Sequence, residues 1–252
     1  MNAFTRFALP LIASVLLSST SFAGPEPISG KEMKQVAPVA PPSCDWSGFY
    51  LGVNVGGQFG HSENKDLDDY NFPDKPWGYS ESSVIAGEQA GYNWQFGHIV
   101  FGPEIDAGYM NLSGRGIEPG IPQDTFGESN SDFYTTFRGR IGIACHCWLL
   151  YATGGVIGVN YETRVIDTSS TRAGPDTINA SKEEFDWGYT FGGGVERMFD
   201  MWGRRWSFKV EYLYFGLDGQ TFSATSGNGF GPYNWRGESE GHIVRGGLNF
   251  HF

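Results

Sequence analysis

From about residue 45 onward the chain keeps a two-residue rhythm of apolar and polar or small positions. Phe49, Leu51, Val53, Val55 and Phe59 share one parity, with Tyr50, Gly52, Asn54, Gly56 and Gln58 on the other. The C-terminal stretch repeats this, with Val244, Leu248, Phe250 and Phe252 set against Arg245, Gly247, Asn249 and His251. Phe208, Val210, Tyr212 and Tyr214 likewise alternate with Lys209 and Glu211. Successive side chains of a strand point to opposite faces, so each pattern predicts a strand with one apolar face. Eight such segments, rich in aromatic, β-branched and Gly residues, lie near 46–60, 82–96, 99–112, 132–144, 149–163, 184–199, 206–217 and 241–252.

The connections alternate in length. Those at 97–98, 145–148 and 200–205 are short, whereas 61–81, 113–131, 164–183 and 218–240 are long and polar or Gly-rich. The expected fold is therefore all-β: an eight-stranded antiparallel up-and-down transmembrane β-barrel with short periplasmic turns, four long external loops and both termini periplasmic. In such a barrel the outward parity must be apolar because no water reaches it. A soluble lipocalin-like carrier would invert the parities and bury Arg245 among apolar side chains. Two residues fit badly. Glu88 has outward parity and is expected near the external interface, and Pro103 interrupts the third strand and is expected at a bulge. The fifth strand, with Gly154, Gly155 and Gly158, gives no clear parity.

The inward parity carries charge. Glu104 and Asp106 on the third strand rise about as far as Arg140 and Arg138 on the fourth, and Glu211 and Arg245 sit at similar heights on the last two. These are expected to form interior ion pairs, and an eight-stranded barrel is narrow enough for side chains to fill it. A lumen closed in this way suits a structural or surface-interaction protein. Mobile or offset charges would instead leave a narrow porin for small solutes or ions.

Composition adds the compartment. Residues 1–23 combine a polar start bearing Arg6, an apolar stretch from Phe7 to Leu17, and Ser21 and Ala23 around Phe22, the grammar of a cleaved secretory signal. A Pro-rich periplasmic leader is expected over 24–44 and the barrel over 45–252. The net charge of -11 repels nucleic acid and leaves no basic stripe for it. Gly at 37 of 252 residues beside 16% aromatics suits strands that alternate small and large side chains.

The run Trp46-Ser-Gly-Phe-Tyr-Leu-Gly-Val-Asn-Val-Gly-Gly, followed in order by Gly91-Tyr92-Asn93-Trp94-Gln95, Arg138-Gly139-Arg140-Ile141-Gly142, Tyr151-Ala152-Thr153-Gly154-Gly155 and Glu211-Tyr212-Leu213-Tyr214, resembles the strand motifs of the outer-membrane immunogenic, or porin-family, small β-barrel proteins. These are similar in form to OmpA- and OmpX-like barrels. The resemblance spans 46–252. It implies a bacterial outer-membrane location, contact with outer-membrane lipids and lipopolysaccharide, and insertion by the barrel-assembly machinery. Leu248, Phe250 and terminal Phe252 resemble that machinery's recognition signal. The resemblance brings no catalytic site and no cofactor.

Other candidate chemistry is thin. Cys145-His146-Cys147 supplies too few ligands at the wrong spacing for zinc, even with Cys44 added. In an oxidising compartment either two of the three cysteines form a disulfide, with a pairing that the sequence does not give, or all three stay unpaired. His61, His98, His146, His242 and His251 form no triad with Ser and carboxylate, so no enzyme is expected. Gly192 to Gly194 lacks the Lys and helix of a phosphate loop and reads as close-packed backbone. Glu63, Asp66, Asp68, Asp69 and Asp74 belong to a solvated acidic loop, with divalent-cation bridging to lipopolysaccharide as the weaker reading. The partner of the external loops is not specified by these residues.

Overall fold

The computed structural model describes residues 44–67, 77–117, 125–167, 178–224 and 233–252. The expected signal and all of the leader except Cys44 lie outside the described residues. Eight antiparallel strands follow one another: β1 (Gly48–Asp66), β2 (Trp77–Phe96), β3 (Ile99–Ile117), β4 (Thr125–Cys145), β5 (Trp148–Asp167), β6 (Ile178–Met201), β7 (Arg204–Ala224) and β8 (Tyr233–His251). Each pairs with its sequence neighbour, and β8 pairs with β1 to close the barrel. Closure gives every strand two partners, so no edge is left unpaired.

Following hydrogen-bonded partners once around the barrel fixes its stagger. From Val84 the path runs through Gly57, Val244, Tyr212, Gly193, Ala152, Ile141 and Phe101 and returns to β2 at Trp94, ten residues along the same strand. Strand number and stagger together set tilt and width, and eight strands leave room only for interlocking side chains.

The strands are longer than their apolar alternation. Residues expected in the long connections, such as His61, Ser62, Glu63 and Asn64, continue β1 and pair with both β2 and β8. Ser62 and Asn64 still point inward, while His61, Glu63 and Lys65 point outward. The outward parity turns polar there although the hydrogen-bond ladder runs on. Glu63 and Asp66 are thus strand residues, and Asp68, Asp69 and Asp74 lie outside the described residues. At the other end the turns are tight. Trp202 and Gly203 join Met201 to Arg204 with φ of 53° and 69°, the left-handed pair that a two-residue I′ hairpin requires.

Two other expectations change. Pro103 marks no bulge, because β3 keeps one register with β4 through Pro103 and Gly139. The ladder is interrupted on the β2 side instead, between the Gly91–Glu104 and Trp94–Phe101 pairs, where a proline has no N–H to donate. Register shifts fall elsewhere, at Tyr109/Leu112, Ser131/Phe133 and Leu217/Gln220. Glu88 is outward and exposed but not at the long-connection end of the apolar surface: it pairs with Val53 and Ala107, inside the apolar region. On β5, Leu149, Tyr151, Thr153, Ile157 and Val159 are buried in the lumen, while Leu150, Ala152 and Val156 face out.

The outside is an apolar belt with aromatic rims. Phe49, Trp94, Phe96, Phe101, Trp148 and Phe252 lie toward the short turns, and Phe59, Tyr109, Phe133, Trp187 and Tyr189 toward the other end. Aliphatic residues such as Leu51, Val53, Val55 and Ile105 stand between them and are exposed. An exposed apolar belt between two aromatic girdles is the exterior of a barrel that spans a bilayer.

A short segment ahead of β1 crosses the short-turn end. Cys44 is disulfide-bonded to Cys147 in the β4–β5 turn, Trp46 N–H donates to Gln95 Oε1 at 2.8 Å, and Arg205 Nη1 donates to the Asp45 carbonyl at 2.9 Å. Cys145 is a free, exposed thiol. A maleimide applied to the folded, non-reduced protein should therefore modify Cys145 alone, as read by peptide mass spectrometry. Modification of Cys44 or Cys147 without reductant would contradict the bridge.

Candidate functional site

The lumen is where the charged residues converge. Glu104 and Asp106 on β3, Arg138 and Arg140 on β4, Glu196 on β6, Lys209 and Glu211 on β7 and Arg245 on β8 all take the inward parity and are buried. Inward alternation alone brings them together, because five different strands face one narrow interior.

Arg138 is the hub. Its Nη2 donates to Glu104 at 2.5 Å and to Asp106 at 2.7 Å, and its Nη1 to Glu211 at 3.1 Å. Arg245 lies 2.6 Å from Glu211 and 3.0 Å from Asp106, so one guanidinium bridges β7 and β3 across the lumen. Arg140 joins Glu104 at 3.3 Å to Glu196 at 2.9 Å and lies over the rings of Tyr50 and Tyr151. Lys209 donates to Glu104 at 3.0 Å. Four carboxylates thus meet four cations.

Hydroxyl and amide donors fill the remaining lone pairs. Tyr50 donates to Glu104 at 2.6 Å, Thr136 to Asp106 at 2.6 Å, Tyr151 to Glu211 at 2.9 Å and Asn249 to Glu196 at 2.8 Å. Ser207 also donates to Glu196. A buried ionic network is tolerable only when each charge has both a counter-charge and hydrogen bonds, since each buried ion otherwise carries a desolvation penalty of several kcal/mol. Here every carboxylate has both.

Apolar layers lie on either side. Toward the short turns, Trp46, Val100, Ala144, Leu149, Tyr151 and Met198 pack together, with Cys44 and Cys147 against them. Toward the long connections Ile85, Met110, Tyr134, Ile157, Val159, Leu213, Phe215, Leu217 and Ile243 form a second buried cluster. Beyond that, the lumen becomes polar again, with Ser62 sharing a hydrogen bond with Ser239 at 2.9 Å.

The six charges singled out from the sequence all lie in this network. Glu211 and Arg245 are direct cross-strand partners, whereas Glu104 stands opposite Arg138 rather than Arg140 and contacts both. Lys209 has readable inward parity but its partner is four strands away, beyond any comparison of neighbouring hairpins. Glu196 was not singled out, because Gly192 to Gly194 interrupt the side-chain alternation that would have shown its parity. Those glycines lie close against neighbouring backbone: a Cβ on Gly192 would fall 1.9 Å from the Tyr212 carbonyl oxygen. Leu248, Phe250 and Phe252 line the outer face of β8. Phe252 N–H donates to the Phe49 carbonyl at 3.0 Å, and Arg205 Nη2 donates to the Phe252 carbonyl at 2.7 Å. The Cys145-His146-Cys147 turn has one of its thiols committed to the disulfide.

Removing one member of the network strands the others. Glu211→Leu should lower the unfolding free energy of the folded barrel by about 3–5 kcal/mol, the cost of breaking a buried pair from one side. Val210→Leu, one residue away on the outer face, should leave it nearly unchanged. Urea titration followed by the shift between folded and unfolded bands on gels measures both.

Residues 35–252 match the family model described as the outer membrane protein beta-barrel domain. The chain is 33% identical over 197 residues to a 22 kDa outer membrane protein of Rhizobium leguminosarum bv. viciae, covering 77% of this chain and 74% of that one. It is 28% identical over 227 residues to a 31 kDa outer-membrane immunogenic protein of Brucella melitensis biotype 1, covering 86% and 88%. In fold it is similar to the outer membrane protein OprG of Pseudomonas aeruginosa, with a TM-score of 0.52 at 12% identity over 82% of this chain and 98% of that one. The apolar belt, the closed eight-stranded register and these matches agree: the chain belongs to the outer membrane protein β-barrel family, and its exterior meets the lipid of the bacterial outer membrane.

Proposed function

We propose that this protein is a sealed outer-membrane anchor, whose barrel holds four extended hairpins at the cell surface and passes no solute. One observation carries the reading: a charge-balanced ionic layer fills the middle of the lumen, with an apolar layer on each side of it. A porin needs a continuous polar path, and each apolar layer interrupts it. The hairpins extend past the apolar belt with polar residues on both faces, as a surface display would require. The relative named as an outer-membrane immunogenic protein is in keeping with such display.

In this reading the short turns and the 44–47 segment lie in the periplasm, the side from which a short-turned barrel inserts, and the disulfide forms in that oxidising compartment. The outer face contacts lipid and lipopolysaccharide. Leu248, Phe250 and Phe252 present one apolar edge of the last strand to the barrel-assembly machinery before β8 closes on β1. The lumen geometry supports a structural, non-catalytic role.

Purified barrel in a planar bilayer should be electrically silent. Regular, reproducible conductance steps would overturn the sealed lumen. Orientation has its own reporter: a membrane-impermeant maleimide should reach Cys145 only after the outer membrane is breached, and labelling on intact cells would invert the topology.

A further inference from the structure

All three cysteines of the chain meet at the short-turn end, and the bridge uses two of them. Cys44, on the strap of residues 44–47 ahead of β1, is bonded to Cys147, and Cys145 is left as an exposed thiol. Cys145 closes the β4–β5 ladder opposite Trp148, so His146 and Cys147 alone make the turn, and the free thiol and the bridge share one tight loop. His146 Nδ1 lies 3.5 Å from Cys145 Sγ, so the sulfur leans toward the tip of the loop and its proton has an acceptor within reach.

The three sulfurs differ in access. Cys44 and Cys147 are half-buried and pack against the apolar layer that contains Trp46, Leu149 and Met198. Their backbone is held as well: Met198 N–H donates to the Cys147 carbonyl at 2.8 Å, and Trp46, fully buried, donates its N–H to Gln95. Thiol–disulfide exchange requires the incoming thiolate to reach the sulfur it attacks. A disulfide arriving from solvent meets Cys145 openly and finds the other two screened by their packing. The end point is set differently. Cys145 has the outward parity of Ile141 and Ile143, so a Cys44–Cys145 bond would draw the strap toward the outer rim, away from the layer in which Trp46 is buried, whereas a Cys44–Cys147 bond leaves it there. Access selects Cys145 as the point of entry, and packing selects Cys147 as the final partner.

We propose that Cys145 is a relay thiol, which takes a disulfide from an oxidant in solution and passes it to the Cys44–Cys147 pair. In the reduced barrel the Cys145 thiolate, its proton moved to His146, attacks one sulfur of the external disulfide. That bond breaks, a mixed disulfide forms on Cys145, and one external thiolate leaves. The Cys44 thiolate then attacks Cys145 Sγ, expelling the second external thiolate and forming Cys44–Cys145. Finally the Cys147 thiolate attacks Cys44 Sγ, which makes the bridge seen in the structure and returns Cys145 as a thiolate to recover its proton. The chain gives up two electrons and the protons of Cys44 and Cys147, and the external disulfide takes both as two thiols. Run backwards, the same steps give a solvent-borne thiol a way to open a bridge that it cannot attack directly.

The test is reoxidation of the folded barrel. Full-length mature chain is refolded with its cysteines reduced, freed of reductant and given oxidised glutathione, and thiols are alkylated at intervals so that peptide mass spectrometry counts each species. Cys145→Ser should form the Cys44–Cys147 bridge slower than the wild type by about tenfold or more, the loss of an intramolecular step. In urea, where all three sulfurs are open, the two rates should agree within about twofold. Cys147→Ser should halt the relay one step early and accumulate glutathione on Cys145 or the Cys44–Cys145 bond. His146→Ala should slow the reaction without changing its end product. The heat-modifiable gel shift confirms that each variant is folded. Equal rates for folded wild type and Cys145→Ser, glutathione appearing first on Cys44 or Cys147, or the same slowing of Cys145→Ser in urea would each overturn the proposal.

Discussion

Charge balance in a dry interior is the constraint on which this barrel depends. Four carboxylates and four cations share a space that admits little beyond their own side chains. An unpaired ion there would carry a penalty of several kcal/mol, so the network holds as a whole or fails as a whole. It ties β3, β4, β6, β7 and β8 to one another across the lumen, adding to the backbone ladder a set of contacts between strands that are not neighbours. The apolar layers on either side of it keep water from competing for these bonds, and the ionic layer in turn gives the inward polar positions of a narrow barrel their partners.

The exterior answers to a different solvent. Where lipid surrounds the barrel the outward parity is apolar, and where water does, the same parity carries His61, Glu63, Lys65, Glu238 and Glu240. The strands do not end at this change, since a barrel strand ends where its ladder does. Alternation of hydrophobicity therefore revealed the position of the membrane more faithfully than the ends of the strands, and residues read as loop proved to be continuations of all eight strands. The alternation of short and long connections survived this, because it depends on chain direction and not on strand length.

What was legible in the candidate site follows the same logic. Glu211 and Arg245 could be paired because they lie on adjacent strands joined at known height, and Glu104 with Asp106 could be set against Arg138 and Arg140 for the same reason. Lys209 reaching Glu104 and Arg245 reaching Asp106 are contacts across the lumen, which depend on stagger, and stagger is a property of closure. Glu196 was hidden by three glycines that have no side chains to mark parity. The Cys44–Cys147 bridge was one of several pairings open to three cysteines near one end. Pro103 broke a ladder on one side only, a distinction that needs both neighbours in view.

Osmotic water flux tests the sealed lumen most directly, since water crosses a gap too narrow for ions or solutes. Vesicles carrying the folded barrel, mixed with hyperosmotic buffer in a stopped-flow instrument, should shrink at the rate of empty vesicles of the same lipid. A shrinkage rate that climbs in proportion to the number of barrels per vesicle would show a water file through the ionic layer and contradict the account.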